Sequence, residues 1–169
     1  MVWSMSSQEL LRIIYNRRSV RRYERRPVPD DVLRAVLEAG RQAPSARNLQ
    51  PYCLIVVRDP ELKKKLVFSE WNRFIEEAPV VIVGCGDSRA KWAVVDVAVA
   101  LQNMVIAAEA LGLGTCWIGH FIEEDVKKAL KIPEHVKVVA MITLGYPDEK
   151  PAPRPKKSLE ELVRYETYE

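Results

Sequence analysis

The sequence predicts an α+β domain in which one mixed β-sheet packs on a buried central helix. Residues 93–113 are apolar on almost every side, and a helix with so small a polar face must be buried. Short β-prone runs stand on both sides of this helix, and amphipathic helical segments are interspersed among them irregularly. This order does not follow the regular alternation of an α/β fold, so we expect an α+β domain.

The composition is that of one globular domain. Of the 169 residues, 48% are hydrophobic and 29% are charged, which excludes a disordered chain and leaves room for a core. The net charge of +3 implies no general affinity for polyanions. We predict a single domain over residues 1–169 with a basic, proline-rich C-terminal arm over residues 150–169. Such an arm is expected to extend onto a partner subunit.

Several features favour a cytoplasmic location. Met1–Ser4 show no signal-peptide pattern. The cysteines lack the paired spacing of a metal or redox site and are expected to be buried thiols of a reducing compartment: Cys53, Cys85 and Cys116. A membrane-spanning central helix is the alternative, but Asp96 and Glu109 would each cost about 2.5–3.5 kcal/mol near the bilayer centre. Scarce Asn and Gln beside plentiful Lys, Arg, Glu and Pro indicate a thermophilic source.

In chain order, the predicted elements begin with helices. Ser6 and Glu9 have the spacing of a capping box, and apolar residues at helical intervals extend this first helix to about Asn16. A second helix begins at Asp30 and ends near Gly40. A third helix opens with the Asp-Pro pair at residues 59 and 60, in the order of a cap followed by proline.

The predicted strands are apolar, β-prone runs, of which the first and third are expected to be buried. The four runs are Tyr52–Val57, Val80–Val83, Thr115–Gly119 and Val136–Leu144. Gly112 accepts the left-handed conformation that ends the central helix. Glu123–Leu130 is predicted as a short amphipathic helix, and Ser158 with Glu161 caps a final one.

Polar residues on the central helix form two lines. Asp96 and Asn103 are seven residues apart and therefore share a face, as do Gln102 and Glu109. These lines meet either a partner surface or polar ligand, or they are polar residues satisfied within the core.

A first candidate site lies where the first helix ends. It consists of Arg17, Arg18, Ser19 and Arg21. Guanidinium groups bind phosphate oxygens in a fork geometry, and a serine hydroxyl adds a neutral donor. The basic run continues to Arg26, so a solvated basic face or a nucleic-acid patch over Arg17–Arg26 is the alternative.

Two further candidates lie later in the chain. Ser45, Asn48 and Gln50 carry amide and hydroxyl groups that can read the edge of a uracil-like or flavin-like ring. The alternative for this segment is a polar turn capped by its own side chains. A second basic cluster is formed by Arg154, Lys156 and Lys157, for which ordinary surface charge is the alternative.

The sequence offers no nucleophile with a partner base. The only histidines, His120 and His135, make no metal-ligand set, and His120 either lines a pocket or lies on the surface. There is no phosphate loop and no dinucleotide-binding glycine fingerprint. An organic cofactor that brings its own chemistry would account for a phosphate-plus-ring site without a catalytic pair, and no metal is expected.

Taken in order, these motifs resemble the nitroreductase family of FMN-dependent oxidoreductases over nearly the whole chain. They are Arg17–Arg21, Pro44–Pro51, Ala78–Val81, Gln102–Met104, Leu111–Gly119 and Leu144–Pro147. The resemblance implies an α+β nitroreductase-like fold in an intertwined homodimer with two FMN sites at the subunit interface.

The resemblance also implies roles for individual residues. In the first cluster, which includes Arg18, the FMN phosphate and ribityl chain would be held by Arg17, Ser19 and Arg21, joined from the arm by Lys156 or Lys157. The loop that covers the flavin, largely from the other subunit, would contain Pro44, Ser45, Ala46, Asn48 and Gln50. Ile118 and Gly119 match the segment whose backbone faces flavin N5.

The implied activity is a two-step transfer. NADH or NADPH gives hydride to flavin N5 and leaves, and a small-molecule acceptor such as a nitroaromatic, quinone or activated alkene then takes the electrons. A flavin-dependent dehalogenating or flavin-remodelling member of the same fold, and a flavin carrier or sensor without turnover, are alternatives. A nucleic-acid-binding module leaves the amide-rich loop unexplained, so neither a nucleic-acid nor a membrane partner is expected.

The sequence departs from the family pattern in three respects. Trp71-Asn72-Arg73 stands where an Asn-Gln pair is common, so Asn72 is not assigned to the flavin. Gly119-His120 replaces the acidic-residue-then-glycine pair of some members, and the chain lacks the helical insertion that often walls the substrate pocket.

Overall fold

The computed structural model describes residues 6–168, so the expectation about Met1–Ser4 lies outside the described residues. The helices are α1 Ser7–Asn16, α2 Asp30–Arg41, α3 Pro60–Lys65, α4 Phe74–Glu77, α5 Ala93–Ala110, α6 Glu123–Leu130 and α7 Leu159–Leu162. The strands are β1 Tyr52–Val57, β2 Val80–Asp87, β3 Gly114–Ile118 and β4 Val136–Gly145. Short 3₁₀ helices lie at Ala46–Asn48 and Glu70–Asn72.

The capping residues predicted at three helix ends are observed in the structure. The Ser6 hydroxyl accepts the backbone N–H of Glu9 at 3.2 Å, and the Glu9 carboxylate accepts the backbone N–H of Ser6 at 2.7 Å. Asp59 caps α3 by accepting the backbone N–H of Leu62 at 2.8 Å. Gly112, just after α5, has a φ of 75°, a backbone conformation that is unfavourable for residues with a side chain. These caps confirm the predicted starts of α1 and α3 and the end of α5.

The four strands pair in the order β1-β2-β4-β3, and every pair is antiparallel. The α+β class is confirmed, but the prediction of a mixed sheet is wrong for these strands. Helix α5 carries the chain from β2 to β3, and these two strands run in the same direction, but β4 lies between them. A parallel contact among the described residues occurs only at the isolated bridge between Ser19 and Thr115.

The sheet is the middle layer of three, because alternate side chains of β2 point to opposite faces. Val80 and Ile82 pack in the cluster formed with α2 and α5, whereas Val81 and Val83 pack in the cluster formed with α3, α4 and α6. The sequence indicated only the side that faces the central helix. Burial on both faces explains why β2 is a continuous apolar run rather than an alternating one.

Helix α5 is the core helix, as predicted. It is long and apolar enough to cross a membrane by length and composition alone, but Val97, Leu101 and Met104 are fully buried against the sheet and α2. Helix α2 extends past Gly40, and a Cβ at Gly40 would lie 2.8 Å from Cγ of Met104. Gly40 therefore permits the close approach of two helices rather than ending one.

The polar residues of α5 differ in their surroundings. Asn103 donates to the backbone carbonyl of Ala39 at 3.2 Å, and Gln102 accepts from the indole N–H of Trp117 at 3.3 Å. Asp96 is buried, and one of its carboxylate oxygens has no hydrogen-bond partner among residues 6–168. The sequence allowed two explanations for these polar residues, namely contact with a partner or ligand, or hydrogen bonding within the core. Hydrogen bonding within the fold accounts for Asn103 but only in part for Asp96.

Strand β1 lies at the edge of the sheet, and this position corrects two predictions. Three of its six residues are half-buried, two are exposed, among them Cys53, and only Val57 is buried. The other thiols, Cys85 and Cys116, are buried as predicted. An apolar run at an edge has the same sequence pattern as a central strand, so its exposure depends on strand order.

Candidate functional site

The first candidate cluster lies along the free edge of β3. Helix α1 ends at Arg17, whose backbone N–H bonds the carbonyl of Ile13 at 3.1 Å. Beyond it, Ser19 forms a parallel bridge with Thr115, and the backbone N–H of Val20 donates to the carbonyl of Thr115 at 2.9 Å. Because the bridge is parallel, the chain after Ser19 runs towards the carboxyl end of β3.

Two side chains fix this segment in place. The Tyr23 hydroxyl lies 2.6 Å from the carbonyl of Val20 and 2.6 Å from the hydroxyl of Thr143. Burial raises the pKa of Tyr23, so the phenol stays protonated and can donate. The Glu149 carboxylate accepts the backbone N–H groups of Arg21 and Arg22, the latter at 3.1 Å. The sheet and the start of the C-terminal arm thus hold the arginine-bearing backbone from both sides.

A cavity of about 280 Å³, here called the basic cavity, joins two of the predicted clusters. Its charged and hydroxyl-bearing walls are Arg17, Arg18, Ser19, Arg21, Arg154 and Lys156. Residues from the two ends of the sequence therefore surround one space, as the phosphate-site prediction requires. Lys157 is not among the residues that line it, so of the two arm lysines the geometry favours Lys156.

The basic run does not form one continuous surface. The guanidinium of Arg18 donates to the backbone carbonyls of Tyr15 at 2.8 Å and Arg17 at 2.9 Å, at the end of α1. The Arg22 side chain approaches the Glu149 carboxylate at 3.8 Å, and the Arg26 guanidinium lies 3.8 Å from the centre of the Tyr146 ring. These arginines have separate partners within the fold.

A second cavity, of about 300 Å³, adjoins the first and is here called the aromatic cavity. Its lining comprises Phe68, Trp71, Phe74, Trp117 and His120 together with Arg21, Ser69, Asn72, Cys116, Ile118 and Gly119. Arg21 lines both cavities, and its guanidinium lies 5.7 Å from the centre of the Phe74 ring. The predicted residues Ile118 and Gly119 therefore lie beside the predicted phosphate cluster.

Asn72, which was not assigned to the flavin from the sequence, lines the aromatic cavity. It is only 5% exposed, and its Oδ1 accepts the backbone N–H groups of Phe68 at 3.3 Å and Ser69 at 3.1 Å. These two donors fix the orientation of the amide, and its Nδ2 has no partner among residues 6–168. A buried, unpaired donor is costly unless a ligand satisfies it. The signal in the sequence was an asparagine three residues after a serine, which alone indicates only a turn.

The predicted amide-rich loop lies away from both cavities. The Asp96 carboxylate accepts the backbone N–H of Ala46 at 3.1 Å, and the Ser45 hydroxyl accepts the backbone N–H of Gln50 at 3.1 Å. The Gln50 side chain donates to the carbonyl of Asn48 at 2.9 Å. Neither Pro44 nor these residues line the basic or the aromatic cavity. The loop is self-capped, yet it is separate from the phosphate-type site of its own chain.

The backbone of this loop is strained. Arg47, Asn48 and Gln50 have φ values of 54°, 56° and 50°, in the left-handed region that favours glycine. This backbone conformation costs free energy in residues other than glycine, and it persists where contacts with the surrounding structure stabilise it. The hydrogen bond from the backbone N–H of Ala46 to Asp96 provides such a contact, because it connects the loop to the first turn of α5.

The two cavities suit a ligand with a phosphate at one end and a planar ring at the other. Cations surround the basic cavity, aromatic side chains line the other, and Asn72 offers a free donor to an oxygen or nitrogen acceptor on a ring. Within residues 6–168, no group of three or more His, Cys, Asp or Glu side chains is arranged to hold a metal ion.

Known protein sequences are similar to this chain over most of its length. The sequence model of the nitroreductase family matches residues 14–77 and 66–146. A protein of Methanothermobacter thermautotrophicus, described as a candidate NADH dehydrogenase/NAD(P)H nitroreductase, is 37% identical over 160 residues, which cover 89% of this chain and 83% of that protein. The FMN reductase [NAD(P)H] of Bacillus subtilis is 31% identical over 185 residues, covering 95% of this chain and 74% of the relative.

Solved structures share the fold. The NADPH:FMN oxidoreductase of Vibrio harveyi, solved with NAD⁺, superposes with a TM-score of 0.89 at 26% identity, covering 95% of this chain and 78% of that one. An FMN-dependent nitroreductase of Clostridium difficile gives a TM-score of 0.82 at 26% identity, covering 92% and 98% of the two chains.

Proposed function

The chain belongs to the nitroreductase family, and from that premise we propose that it is an FMN-dependent oxidoreductase. It would take a hydride from NADH or NADPH and pass it to a small-molecule acceptor. The names of its relatives, which include FMN reductases and NADPH-flavin oxidoreductases, support the cofactor and the reductant. Nitroaromatics, quinones and activated alkenes are the acceptor classes that we propose.

The observation that carries this proposal is the position of Arg21 between the basic cavity and the aromatic cavity. One ligand that spans both cavities would place its phosphate among Arg17, Ser19 and Lys156 and its ring beside Asn72 and Gly119. FMN has this form, because a ribityl chain joins its phosphate to its three-ring system. The unpaired Nδ2 of Asn72 supports the fit at the ring end.

The chain's own residues would bind, orient and polarise the cofactor. Arg17, Arg154 and Lys156 would donate charge-assisted hydrogen bonds to the phosphate. Asn72 would donate through Nδ2 to an acceptor on the ring edge, and Arg21 would stabilise negative charge that develops on the ring. Bound FMN would supply the two-electron chemistry at N5, for which the side chains of this site have no equivalent.

We also propose that the protein is a homodimer with the FMN sites at its interface. Three apolar residues on one side of α1, Leu10, Leu11 and Ile14, are each 46% exposed. The arm ends in further exposed apolar side chains, with Leu159 at 72% and Tyr165 at 83%. Such surfaces are unusual on a monomer and typical of an interface. In the dimer, the strained loop with Ser45, Ala46, Asn48 and Gln50 would cover the partner's flavin.

The first test is the visible spectrum of the purified protein. We expect a yellow protein that bleaches when NADH or NADPH is added without oxygen and regains its colour with a quinone. A yellow protein that neither nucleotide bleaches would contradict turnover and support the carrier or sensor alternative. A colourless protein that takes up no added FMN would overturn the proposal and return attention to Arg17–Arg26 and nucleic acid.

A further inference from the structure

His120 is placed at the mouth of the aromatic cavity by the end of β3. It follows Gly119, lines the cavity, and is exposed to solvent. Its ring centre lies 4.7 Å from that of Phe68, with a tilt of 37° between the ring planes. Neither imidazole nitrogen has a hydrogen-bond partner among residues 6–168, so both remain available to a ligand and to water.

The other ionisable side chains of this cavity cannot release a proton near neutral pH. Arg21 keeps its proton, since guanidinium groups stay charged in proteins. Burial raises the pKa of the Cys116 thiol, even though Arg21 and Ser19 act in the opposite direction. Histidine is the side chain type that exchanges a proton between pH 5 and 8. Among the ionisable side chains of the lining, His120 is the one of this residue type.

The charged groups on the neighbouring elements leave the imidazole free. On the short helix Glu70–Asn72 and just after it, Glu70 and Arg73 pair with each other at 3.3 Å. At the start of α6, Glu123 accepts the backbone N–H of Val138 at 2.9 Å and lies 3.6 Å from the ammonium of Lys127. Glu124 follows on the exposed side of α6. Arg21 is the cation that shares the cavity.

We propose that His120 is a catalytic residue that donates a proton to the oxygen of an acceptor bound at the mouth of the aromatic cavity. This inference rests on the proposed function. A quinone that receives a hydride gains two electrons and one proton, and its second oxygen then carries a negative charge. The imidazolium N–H bond of His120 breaks, the O–H bond of the hydroquinone forms, and the electron pair stays on the nitrogen. Because the ring is exposed, water restores its proton.

The two histidines allow a matched test. His135 is exposed in the turn before β4 and lines neither cavity, so H135Q is the control for H120Q. With tetramethyl-1,4-benzoquinone as acceptor, we expect kcat/KM of the wild type and H135Q to fall as the pH rises and the imidazolium loses its proton. H120Q should lose about 10²-fold at low pH and show no such fall. All four ring carbons of this quinone that a thiol could attack carry methyl groups, so the exposed Cys53 thiol does not add to it.

A second readout does not depend on turnover. In proton NMR of the FMN-loaded protein, each variant identifies the imidazole signal of one histidine. We expect 2,3,5,6-tetramethylphenol, which cannot be reduced, to shift the titration midpoint of His120 and leave that of His135 unchanged. The proposal would be overturned if the pH profile of kcat/KM were the same for H120Q and the wild type. It would also be overturned if the phenol left the titration midpoint of the His120 signal unchanged.

The same variants separate failure of this inference from failure of the proposed function. H120Q should still be bleached by NADH or NADPH, because the proposed proton transfer takes place only after the flavin has been reduced. A wild type that binds no FMN would refute the proposed function itself. A wild type that bleaches normally beside an H120Q variant with an unchanged pH profile would refute only the role of His120.

Discussion

The proposed phosphate site depends on single residues at the edge of β3. Arg17 and Ser19 stand on a backbone that the sheet already fixes, through the bridge to Thr115 and the hydroxyl of Tyr23. Their side chains are half-buried at the basic cavity. We therefore expect these side chains to donate hydrogen bonds to the proposed ligand and to contribute little to the stability of the fold.

The double variant R17A/S19A tests this separation. We expect its FMN dissociation constant to rise at least tenfold, because a hydrogen bond to a charged group contributes about 1.5–3 kcal/mol. The melting temperature of the FMN-free protein should stay the same. Equilibrium dialysis and thermal unfolding measure the two quantities, with R34A on the exposed face of α2 as the control. An unchanged FMN affinity would move the phosphate site elsewhere.

Sequence reasoning at this scale identified residues whose chemistry is local. Arg17, Ser19 and Arg21 form a recognisable cluster because they are adjacent in the chain. Asn72 was missed, because its value depends on burial and on two backbone donors that occupy its carbonyl oxygen. The sequence left open whether His120 lines a pocket, and only the fold shows it beside Phe68 in the lining of the aromatic cavity.

At the scale of elements, the contact between α5 and the sheet depends on small residues. A Cβ built at Gly84 in the middle of β2 would lie 2.6 Å from Cγ1 of Val97 and 2.9 Å from Cδ1 of Leu101. Both neighbours belong to the core helix and are fully buried. Close packing leaves them little room to move.

We expect G84A to lower the free energy of unfolding by about 1–3 kcal/mol through overpacking. The matched control is G119A, because a Cβ at Gly119 meets no atom within 4 Å. That variant should change the free energy by less than about 0.5 kcal/mol. Urea unfolding followed by circular dichroism measures both. Equal stability of the two variants would show that the α5 layer tolerates an added methyl group.

Element identities were largely predictable, whereas their arrangement was not. The caps at Ser6 and Asp59 and the left-handed Gly112 are encoded within a few residues, so the helix ends followed directly. The pairing of β4 with both β2 and β3 joins segments far apart in the chain, and no local pattern specifies it. For the same reason the edge position of β1 and the exposure of Cys53 could not be foreseen.

At the scale of the whole molecule, the exposed apolar face of α1 provides a test of the dimer. The double variant L10E/I14E places two carboxylates on this face, and we expect it to weaken self-association by about 2 kcal/mol or more if these residues are interface anchors. Sedimentation velocity measures the change. FMN affinity should fall as well, because the loop with Asn48 would no longer reach the partner.

The control variant changes the net charge of α1 by the same amount as L10E/I14E. In Q8E/R12Q, one substitution adds a negative charge and the other removes a positive one, on the opposite side of α1. This variant should remain a dimer and keep its flavin. If L10E/I14E also sediments as a dimer, the interface excludes α1 and the proposed assembly must be revised.

The strand order has a consequence for the order of events on the ribosome. Strand β4 occupies residues 136–145 and pairs with both β2 and β3, so the middle of the sheet is among the last parts to be synthesised. Until it emerges, the apolar faces of β2 and α5 have no complete partner, and such faces promote aggregation. The basic cavity needs Arg154 and Lys156, which emerge later still. With FMN bound as proposed, a nascent chain without these two residues would have an incomplete phosphate site, and we expect cofactor loading to follow their synthesis.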